Sequence, residues 1–334
     1  MTIGRVGYGS DTGRKRRRNE DSYVVKPPLF AVADGMGGAQ AGEVASQLAA
    51  TVLNENPSGA GEDHVVELIQ QANQRVYERG REDASATGLG TTITVALVEN
   101  GQVRIGHVGD SRAYRLRDGR LEQLTDDHSL VAELVRSGKL SPEEAETHPQ
   151  RSVITRALGT DPDVDVDRVN VTTRAGDLFL LCSDGLTSMV DDERILEIVE
   201  RNRDDLERAA KTLIKEANRA GGEDNITVIA FEIVEAPDET TREYAPADET
   251  RRMTIPPPPP DEDEDDTLDE LDNVPAVDTM VVSPEEAQRM WEFAHEDEEP
   301  GEARPPRRVP LPLVVLLVVV ALAVAAYVVW RLVR

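Results

Sequence analysis

The sequence predicts an α+β fold in which helices cover two antiparallel sheets. Residues 1–235 alternate short apolar runs with glycine, asparagine and aspartate, and many of these runs have the length of a strand. Strands joined by short turns, such as the pair around Asp118-Gly119, indicate hairpins. The helical patterns come in pairs and not one after each strand, which argues against a doubly wound parallel sheet.

Each element follows from a local pattern along residues 1–235. Runs rich in β-branched residues predict the strands Val6–Ser10, Ser22–Val25, Leu29–Ala33, Thr91–Val98, Gln102–Val108, Ala113–Leu116, Arg120–Leu124, Asp165–Val171, Leu178–Cys182 and Ile226–Ile233. Helical patterns predict the stretches Gly42–Asn54, Glu62–Glu82, Ser129–Ala145, Asp192–Arg201 and Asp204–Ala220. Ser141 precedes Pro142 and lies three residues before Glu144, which is typical of a capping box.

The composition changes after residue 235. Residues 236–308 contain five consecutive prolines followed by DEDEDD, and such a segment cannot bury enough apolar surface to fold, so we predict a disordered linker. Leu313–Trp330 then gives eighteen residues without a charge, which predicts a transmembrane helix at 309–331. The alternative is a core helix, which the intervening acidic linker makes unattractive.

The N-terminus lacks the apolar segment of a signal peptide. We therefore expect a single-pass protein of the cell membrane, anchored by its C-terminal helix, with the folded domain in the cytoplasm. The formal charge of −27 argues against nucleic acid as a partner. Cys182 is the single cysteine, so no intrachain disulfide can form, and its apolar neighbours favour a role in the core.

Three carboxylates lie at the edges of apolar, strand-like runs: Asp34, Asp184 and Asp224. A carboxylate at the end of a buried strand is costly to desolvate unless positive charge meets it. Oxygen ligands that converge in this way suit a hard divalent cation such as Mg²⁺ or Mn²⁺. Any one of these aspartates alone would be interpreted as a turn or surface residue. Their joint occurrence predicts a metal site and chemistry on phosphate.

Six short motifs occur in an order that resembles a known family. They are NEDS (19–22), VADGMGG (32–38), GTT (90–92), VGDSR (108–112), CSDGL (182–186) and GGEDNITV (221–228). Over residues 3–235 the sequence resembles the metal-dependent Ser/Thr protein phosphatases (PPM, type 2C), in their bacterial membrane-anchored branch. Residues 127–159 resemble the flap segment of that branch. The resemblance implies a four-layer α-β-β-α sandwich with a binuclear Mg²⁺ or Mn²⁺ centre at one end of the sheets.

The resemblance also implies roles for individual residues. Asp34 would bridge two metal ions, and Gly35 would offer its backbone carbonyl to one of them. Asp184 and Asp224 would complete the ligands of the other ion.

Further residues would support this centre by the same resemblance. Glu20 and Asp21 would bind through water or complete the second layer of ligands, and Asp110 would help Asp184 hold a third, weaker ion. Arg16 would clamp the substrate phosphate. Many members outside bacteria have histidine as the proton donor where this chain has Met36, so we expect a metal-bound water to protonate the leaving alcohol.

The expected activity is hydrolysis of phosphoserine and phosphothreonine in proteins. Two cations would activate a bridging water, and no covalent intermediate is required. Partners would be Ser/Thr kinases and their targets at the membrane. Two rivals are an inactive phosphoprotein scaffold and a hydrolase of nucleotides or small phosphate esters. The linker adds four candidate phosphorylation sites, Thr240, Thr241, Thr267 and Thr279. It also contains a stretch, Val281–Phe293, that is either a short binding helix or an incidental apolar patch.

Overall fold

The structure is a computed structural model, and it describes residues 1–37, 41–57, 63–82, 89–235 and 280–281. The described strands are β1 (Thr2–Asp11), β2 (Ser22–Lys26), β3 (Leu29–Ala33), β4 (Gly35–Met36), β5 (Gly90–Thr91), β6 (Ile93–Glu99), β7 (Gln102–Val108), β8 (Arg112–Arg117), β9 (Arg120–Gln123), β10 (Val153–Ile154), β11 (Asp167–Thr172), β12 (Leu178–Cys182), β13 (Ile226–Val234) and β14 (Met280–Val281). The described helices are α1 (Ala41–Glu55), α2 (His64–Glu82), α3 (Leu130–Arg136), α4 (Pro142–Glu146), α5 (Asp184–Thr187), α6 (Asp192–Arg201) and α7 (Leu206–Ala220).

Two five-stranded sheets form the centre of the folded domain. One has the order β1-β13-β12-β8-β9 and the other has the order β11-β7-β6-β3-β2. Every neighbouring pair in both sheets is antiparallel. The predicted α+β class with two antiparallel sheets is therefore confirmed.

Phenylalanines join the two sheets face to face. The rings of Phe30 in β3 and Phe231 in β13 stack with centroids 4.2 Å apart, and Phe179 in β12 lies 5.3 Å from Phe231. Successive strand residues point to opposite faces. Accordingly, Leu178, Leu180 and Cys182 alternate with the phenylalanine layer and pack beneath α6 and α7.

The helices cover the outer faces of both sheets. Leu53 of α1 and Leu68 of α2 pack with Leu29 and Leu97 of the second sheet, while Leu213 of α7 packs on the first. The layers thus run helix, sheet, sheet, helix. Cys182 is fully buried, and burial raises the pKa of its thiol to about 12, which confirms the predicted core role.

Two local predictions are also confirmed. Asp118 and Gly119 have φ of +52° and +70°, the left-handed pair that a tight hairpin turn requires. Ser141 and Glu144 form the capping box at the start of α4, with Ser141 Oγ accepting from the Glu144 N–H.

The structure adds elements that the sequence patterns did not predict. Asp184 begins the short helix α5, whereas the sequence suggested a turn at the end of a strand. Val153–Ile154 form β10 in the flap-like segment 127–159, after the predicted helical stretch ends at Ala145, and β10 pairs in parallel with β14. β14 lies within the segment predicted to be a disordered linker, so that prediction is wrong for Met280 and Val281. Main-chain hydrogen bonds can hold two residues in a strand pairing, so such a pairing needs little apolar surface.

The other predictions for the C-terminal part concern residues beyond those described. The rest of the linker 236–308 and the helix 309–331 lie outside the described residues and stay predictions, as does the domain boundary at 235. Within the part of the chain that the structure describes, no helix has the length and apolar character needed to span a bilayer.

Candidate metal centre

The predicted carboxylates meet at one end of the sandwich. Asp34 follows β3 in one sheet, Asp184 follows β12 in the other, and Asp224 comes just before β13. Asp21 and Asp110 lie close enough to Asp34 for their charges to act on it, as do Asp184 and Asp224. These five side chains, Asp21, Asp34, Asp110, Asp184 and Asp224, are called the carboxylate cluster below.

Two glycines allow the chain to approach itself closely at this cluster. A Cβ on Gly35 would lie 2.2 Å from the Gly42 carbonyl oxygen and 2.5 Å from that of Glu20. A Cβ on Gly185 would lie 2.1 Å from the Asn225 carbonyl oxygen. Both contacts are with backbone atoms, which cannot move aside as a side chain can. Glycine is therefore required for steric reasons at both positions.

Two threonines fix the backbone of Asp34. The Asp34 N–H donates to Thr92 Oγ1 at 3.0 Å, and the Thr92 N–H donates to the Asp34 carbonyl at 2.9 Å. The Thr91 hydroxyl also donates to that carbonyl, at 2.8 Å. Thr92 Oγ1 lies 2.9 Å from Ser111 Oγ, which joins the support of Asp34 to the VGDSR loop. The threonines of the GTT motif thus hold both the N–H group and the carbonyl group of Asp34.

Hydroxyl groups orient Asp21 in a similar way. Its Oδ2 accepts from Ser183 Oγ at 2.8 Å and from Thr227 Oγ1 at 2.6 Å. Its Oδ1 is buried and has no hydrogen-bond partner in the structure. One oxygen of Asp21 is therefore anchored by β12 and β13, while the other is left for a ligand.

Asn225 ties the N-terminal loop to the cluster. Its Oδ1 accepts from the Glu20 N–H at 2.7 Å, and its Nδ2 donates to the carbonyls of Thr12 and Arg18 at 2.9 Å each. The Glu20 carbonyl in turn accepts from the Gly35 N–H at 3.2 Å. Glu20 is thus held beside Gly35 through its backbone.

Arg16 contacts the cluster directly. Its Nη2 lies 2.8 Å from Asp224 Oδ2, and both side chains are mostly buried. Arg16 Nε is buried without a hydrogen-bond partner. A guanidinium that retains an unused donor beside acidic groups can accept a further anion, as a phosphate clamp would require.

His128 holds the loop that contains Asp110. The His128 N–H donates to the Gly109 carbonyl at 2.8 Å, and the Gly109 N–H donates to His128 Nδ1 at 3.0 Å. His128 is buried beside His107, with ring centroids 4.9 Å apart. Burial lowers the pKa of both imidazoles, to about 4 for His107. Both histidines therefore support the fold beside the site.

The cluster is short of positive charge. Burial and repulsion from neighbouring carboxylates raise the pKa of Asp21 to about 6 and of Asp184 to about 7, and they raise the pKa of Asp34 and Asp110 as well. Asp110 and Asp184 each have a buried Oδ1 without a hydrogen-bond partner. Unpartnered carboxylate oxygens in such a site fit a hard divalent cation.

The carboxylates are not already arranged as a closed cage. Among the described residues, no three His, Cys, Asp or Glu side chains are placed together as ligands of one ion. Mg²⁺ usually takes one or two carboxylates and keeps several waters. The individual ligand assignments therefore stay predictions, although the structure brings the residues into one cluster.

A cavity of about 1130 Å³ opens beside the cluster. Asp110 and Asp184 line it from the sandwich, and Ser129, Arg136 and Arg151 line it from the flap-like segment. The cavity is large enough for a peptide side chain with its phosphate, and it gives the carboxylates access to a ligand.

Sequence patterns did not predict the residues that support the site. Thr92, Ser183, Asn225 and Thr227 stand inside quoted motifs, but no role was assigned to them. Their partners lie far away along the chain: Thr92 is 58 residues from Asp34, and Asn225 is 205 residues from Glu20. The signal that could have found them is polar residues within apolar strands, since such residues need partners when buried.

Comparisons with known proteins point in one direction. A sequence profile of the family described as Protein phosphatase 2C matches residues 9–219. The "Serine/threonine phosphatase stp" of Listeria innocua is 40% identical over 238 residues, which are 67% of this chain and 94% of that protein. The "Serine/threonine protein phosphatase PstP" of Mycobacterium tuberculosis is 42% identical over 235 residues, 69% of this chain and 45% of that protein.

A solved structure is similar over the same region. It is a crystal structure of the catalytic domain of the serine threonine protein phosphatase PstP in complex with two manganese ions. It is 38% identical, has a TM-score of 0.64, and covers 70% of this chain and 99% of that one.

Proposed function

Because the chain belongs to the protein phosphatase 2C family, we propose that it hydrolyses phosphoserine and phosphothreonine in proteins with divalent cations bound at the carboxylate cluster. The observation that carries this proposal is the meeting of Asp34 and Asp184, from different sheets, beside a cavity of about 1130 Å³. The similar phosphatases of Listeria innocua and Mycobacterium tuberculosis support the activity.

Mn²⁺ and Mg²⁺ are the proposed cofactors, two per site. The all-oxygen donor set suits either cation, and the manganese-bound structure of the PstP catalytic domain supports two. Bound cations would supply positive charge to the phosphoryl oxygens and a water that is activated at neutral pH. A third, weaker ion beside Asp110 and Asp184 belongs to the proposal, because both have an unpartnered buried Oδ1.

The chain's own residues would fix the geometry of the reaction. Thr91 and Thr92 immobilise the Asp34 peptide, so that its carboxylate keeps one direction when a substrate arrives. Ser183 and Thr227 do the same for Asp21. Groups that are oriented in advance stabilise developing charge without reorganising during the reaction.

Arg16 would bind the phosphate. Arg16 is held by a 2.8 Å ion pair with Asp224, and this pair would weaken if Asp224 served as a cation ligand. Arg16 could then present two N–H groups to phosphate oxygens, a geometry in which arginine is strongest. Met36 has no proton to donate, so the leaving alcohol must be protonated by another group.

The membrane anchor is a further part of the proposal. The eighteen uncharged residues Leu313–Trp330 support a helix at 309–331 that would hold the catalytic domain on the cytoplasmic side of the cell membrane. Membrane-bound kinases and their targets would then be the nearest substrates. Fractionation of cells checks this: the full chain should stay with the membranes after a high-salt wash, and a chain ending at 308 should not.

The test of the activity uses the metal-stripped full chain in detergent. Phosphate release from a phosphothreonine peptide is followed with Mn²⁺, with Mg²⁺ and with neither, for the wild type and for Asp34→Asn. Asp118→Asn, the same change in an exposed hairpin turn, is the matched control. Release should require a cation, vanish in Asp34→Asn and persist in Asp118→Asn. A folded wild type that releases no phosphate with either cation would favour the scaffold.

A further inference from the structure

The C-terminal part of the chain returns to the flap-like segment. β14 pairs in parallel with β10, with Met280 opposite Val153 and Val281 opposite Ile154. Both strands belong to the same compact unit. β14 comes from the segment between the folded domain and the predicted membrane helix, so this pairing connects two functionally distinct parts of the chain.

β10 stands at the edge of the cavity. The residues just before it, Arg151 and Ser152, line the cavity together with Asp110 and Asp184. On its other side, Ile154 forms a bridge with Ser129, which also lines the cavity. A strand added to β10 therefore lies next to residues that form the cavity wall.

β10 is also connected to the Asp34 loop by packing. Ile154 lies in a small apolar cluster with Met36 and Ala157, and all three are almost fully buried. Met36 is two residues after Asp34 and pairs with Gly90. A shift of β10 can thus displace Met36 through Ile154 and so move the backbone next to Asp34.

We propose that the segment containing Met280 and Val281 docks on β10 of the same chain and restricts the entry of phosphoproteins to the cavity. Recognition is by main-chain hydrogen bonds, as when a peptide adds a strand to an exposed edge. The regulatory part of this inference rests on the proposed phosphatase function, whereas the docking itself does not.

The covalent connection makes a weak pairing effective. β14 belongs to the same chain as β10, so their pairing is intramolecular. A covalent tether gives an effective concentration in the millimolar range, which a free peptide would seldom reach. A two-residue strand therefore docks reversibly, and a membrane-proximal event that pulls on the segment would release it.

Hydrogen exchange of the full chain in detergent tests the docking. Met280→Pro/Val281→Pro removes both N–H groups of β14, whichever of them faces β10. Ala276→Pro/Val277→Pro adds the same two prolines outside β14 and is the matched control. Amides of the peptide that covers 150–158 should exchange at least threefold faster in Met280→Pro/Val281→Pro than in the wild type. In the control they should exchange at the wild-type rate. Equal exchange in wild type and both variants would overturn the proposal.

Kinetics with a phosphothreonine peptide test the restriction of entry. If docking leaves about one third of molecules open, Met280→Pro/Val281→Pro should lower KM about threefold and leave kcat unchanged. Faster exchange with an unchanged KM would contradict the proposal, as would protection of β10 that depends on protein concentration, which indicates pairing between copies. An inactive enzyme would refute the phosphatase assignment, but the exchange result would still decide the docking.

Discussion

The two Asp-Gly motifs of the site begin alike and continue differently. Each follows a five-residue strand that is buried at every position, β3 before Asp34 and β12 before Asp184. Each glycine faces a backbone carbonyl at a distance that excludes a Cβ. After Asp34 the chain stays extended as β4, whereas Asp184 starts the helix α5.

The neighbours of each motif explain the difference. Gly35 pairs with Thr91, and Thr91 exchanges two backbone hydrogen bonds with Leu158 of the flap-like segment. The Asp184 carbonyl accepts from the Ser188 N–H within its own turn, and Ser183 is held by Thr227 of the adjacent strand. The Asp34 motif thus depends on the flap, while the Asp184 motif is supported by its own sheet. Tertiary contacts, and not the dipeptide, decide the path.

Adding a Cβ to either glycine should distort the motif that contains it. Gly35→Ala and Gly185→Ala place a Cβ about 2 Å from a backbone oxygen, so the cluster must shift. We expect each variant to lose about 100-fold in phosphatase activity and about 1–3 kcal/mol of unfolding free energy. Phosphate release and urea denaturation measure the two effects.

The control for this prediction is Gly119→Ala. Gly119 has φ of +70° and no atom within 4 Å of an added Cβ, so this change introduces backbone strain without a collision. It should cost about 1 kcal/mol and leave activity unchanged. Full activity in Gly35→Ala or Gly185→Ala would show that the close approach is not needed.

Removing a supporting hydroxyl group should affect the two motifs to different extents. Thr92→Val deletes the acceptor of the Asp34 N–H, and Ser183→Ala deletes the donor to Asp21 and the acceptor of the Thr227 N–H. Each should lower the unfolding free energy by about 1–3 kcal/mol.

Activity should distinguish the two variants. Thr92 touches Asp34, which the family resemblance places between both cations, so kcat should fall about tenfold in Thr92→Val and less in Ser183→Ala. Steady-state kinetics at saturating Mn²⁺ make the comparison. The opposite order would place the more important support at Asp21.

Acid should act on the buried His107 and on the carboxylate cluster in opposite directions. His107 lies in the sheet of β3, and burial lowers its pKa to about 4 from an unfolded value of about 6.5. The unfolded chain therefore binds more protons between these pH values, and stability falls as pH decreases through that window. From pH 7 to pH 5 the loss is about 2 kcal/mol.

The raised pKa values of Asp21 and Asp184 act the other way, since the folded state then binds the proton more strongly. A comparison with His107→Asn isolates the histidine. Urea denaturation at pH 7 and pH 5 should show that the wild type loses about 2 kcal/mol more than the variant. Equal losses would mean that His107 is not held neutral.

Features that depend only on neighbouring residues could be predicted from the sequence. The alternation of residues in β12 places Phe179 between the sheets and Cys182 beneath the helices, and it follows from a period of two. The positions of Asp34 and Asp184 at strand ends, and the turn at Asp118-Gly119, also needed only neighbouring residues.

The remaining features depend on distant partners. Asn225 bonds to the backbone of Thr12, Arg18 and Glu20, and His128 holds Gly109 from the far side of a hairpin. The pairing of Met280 with Val153 joins segments more than a hundred residues apart. No periodicity encodes these contacts, because they arise only when the sheets have assembled.

The two Asp-Gly motifs should bind the same pair of cations. A double-mutant cycle of Mn²⁺ affinity tests this most directly, using the paramagnetic signal of free Mn²⁺ with the wild type, Asp34→Asn, Asp184→Asn and the double variant. Both single variants should lose most of the affinity, and the double variant should lose little more, because groups that share ligands are not additive. Losses that simply add, or unchanged binding in either single variant, would contradict the account.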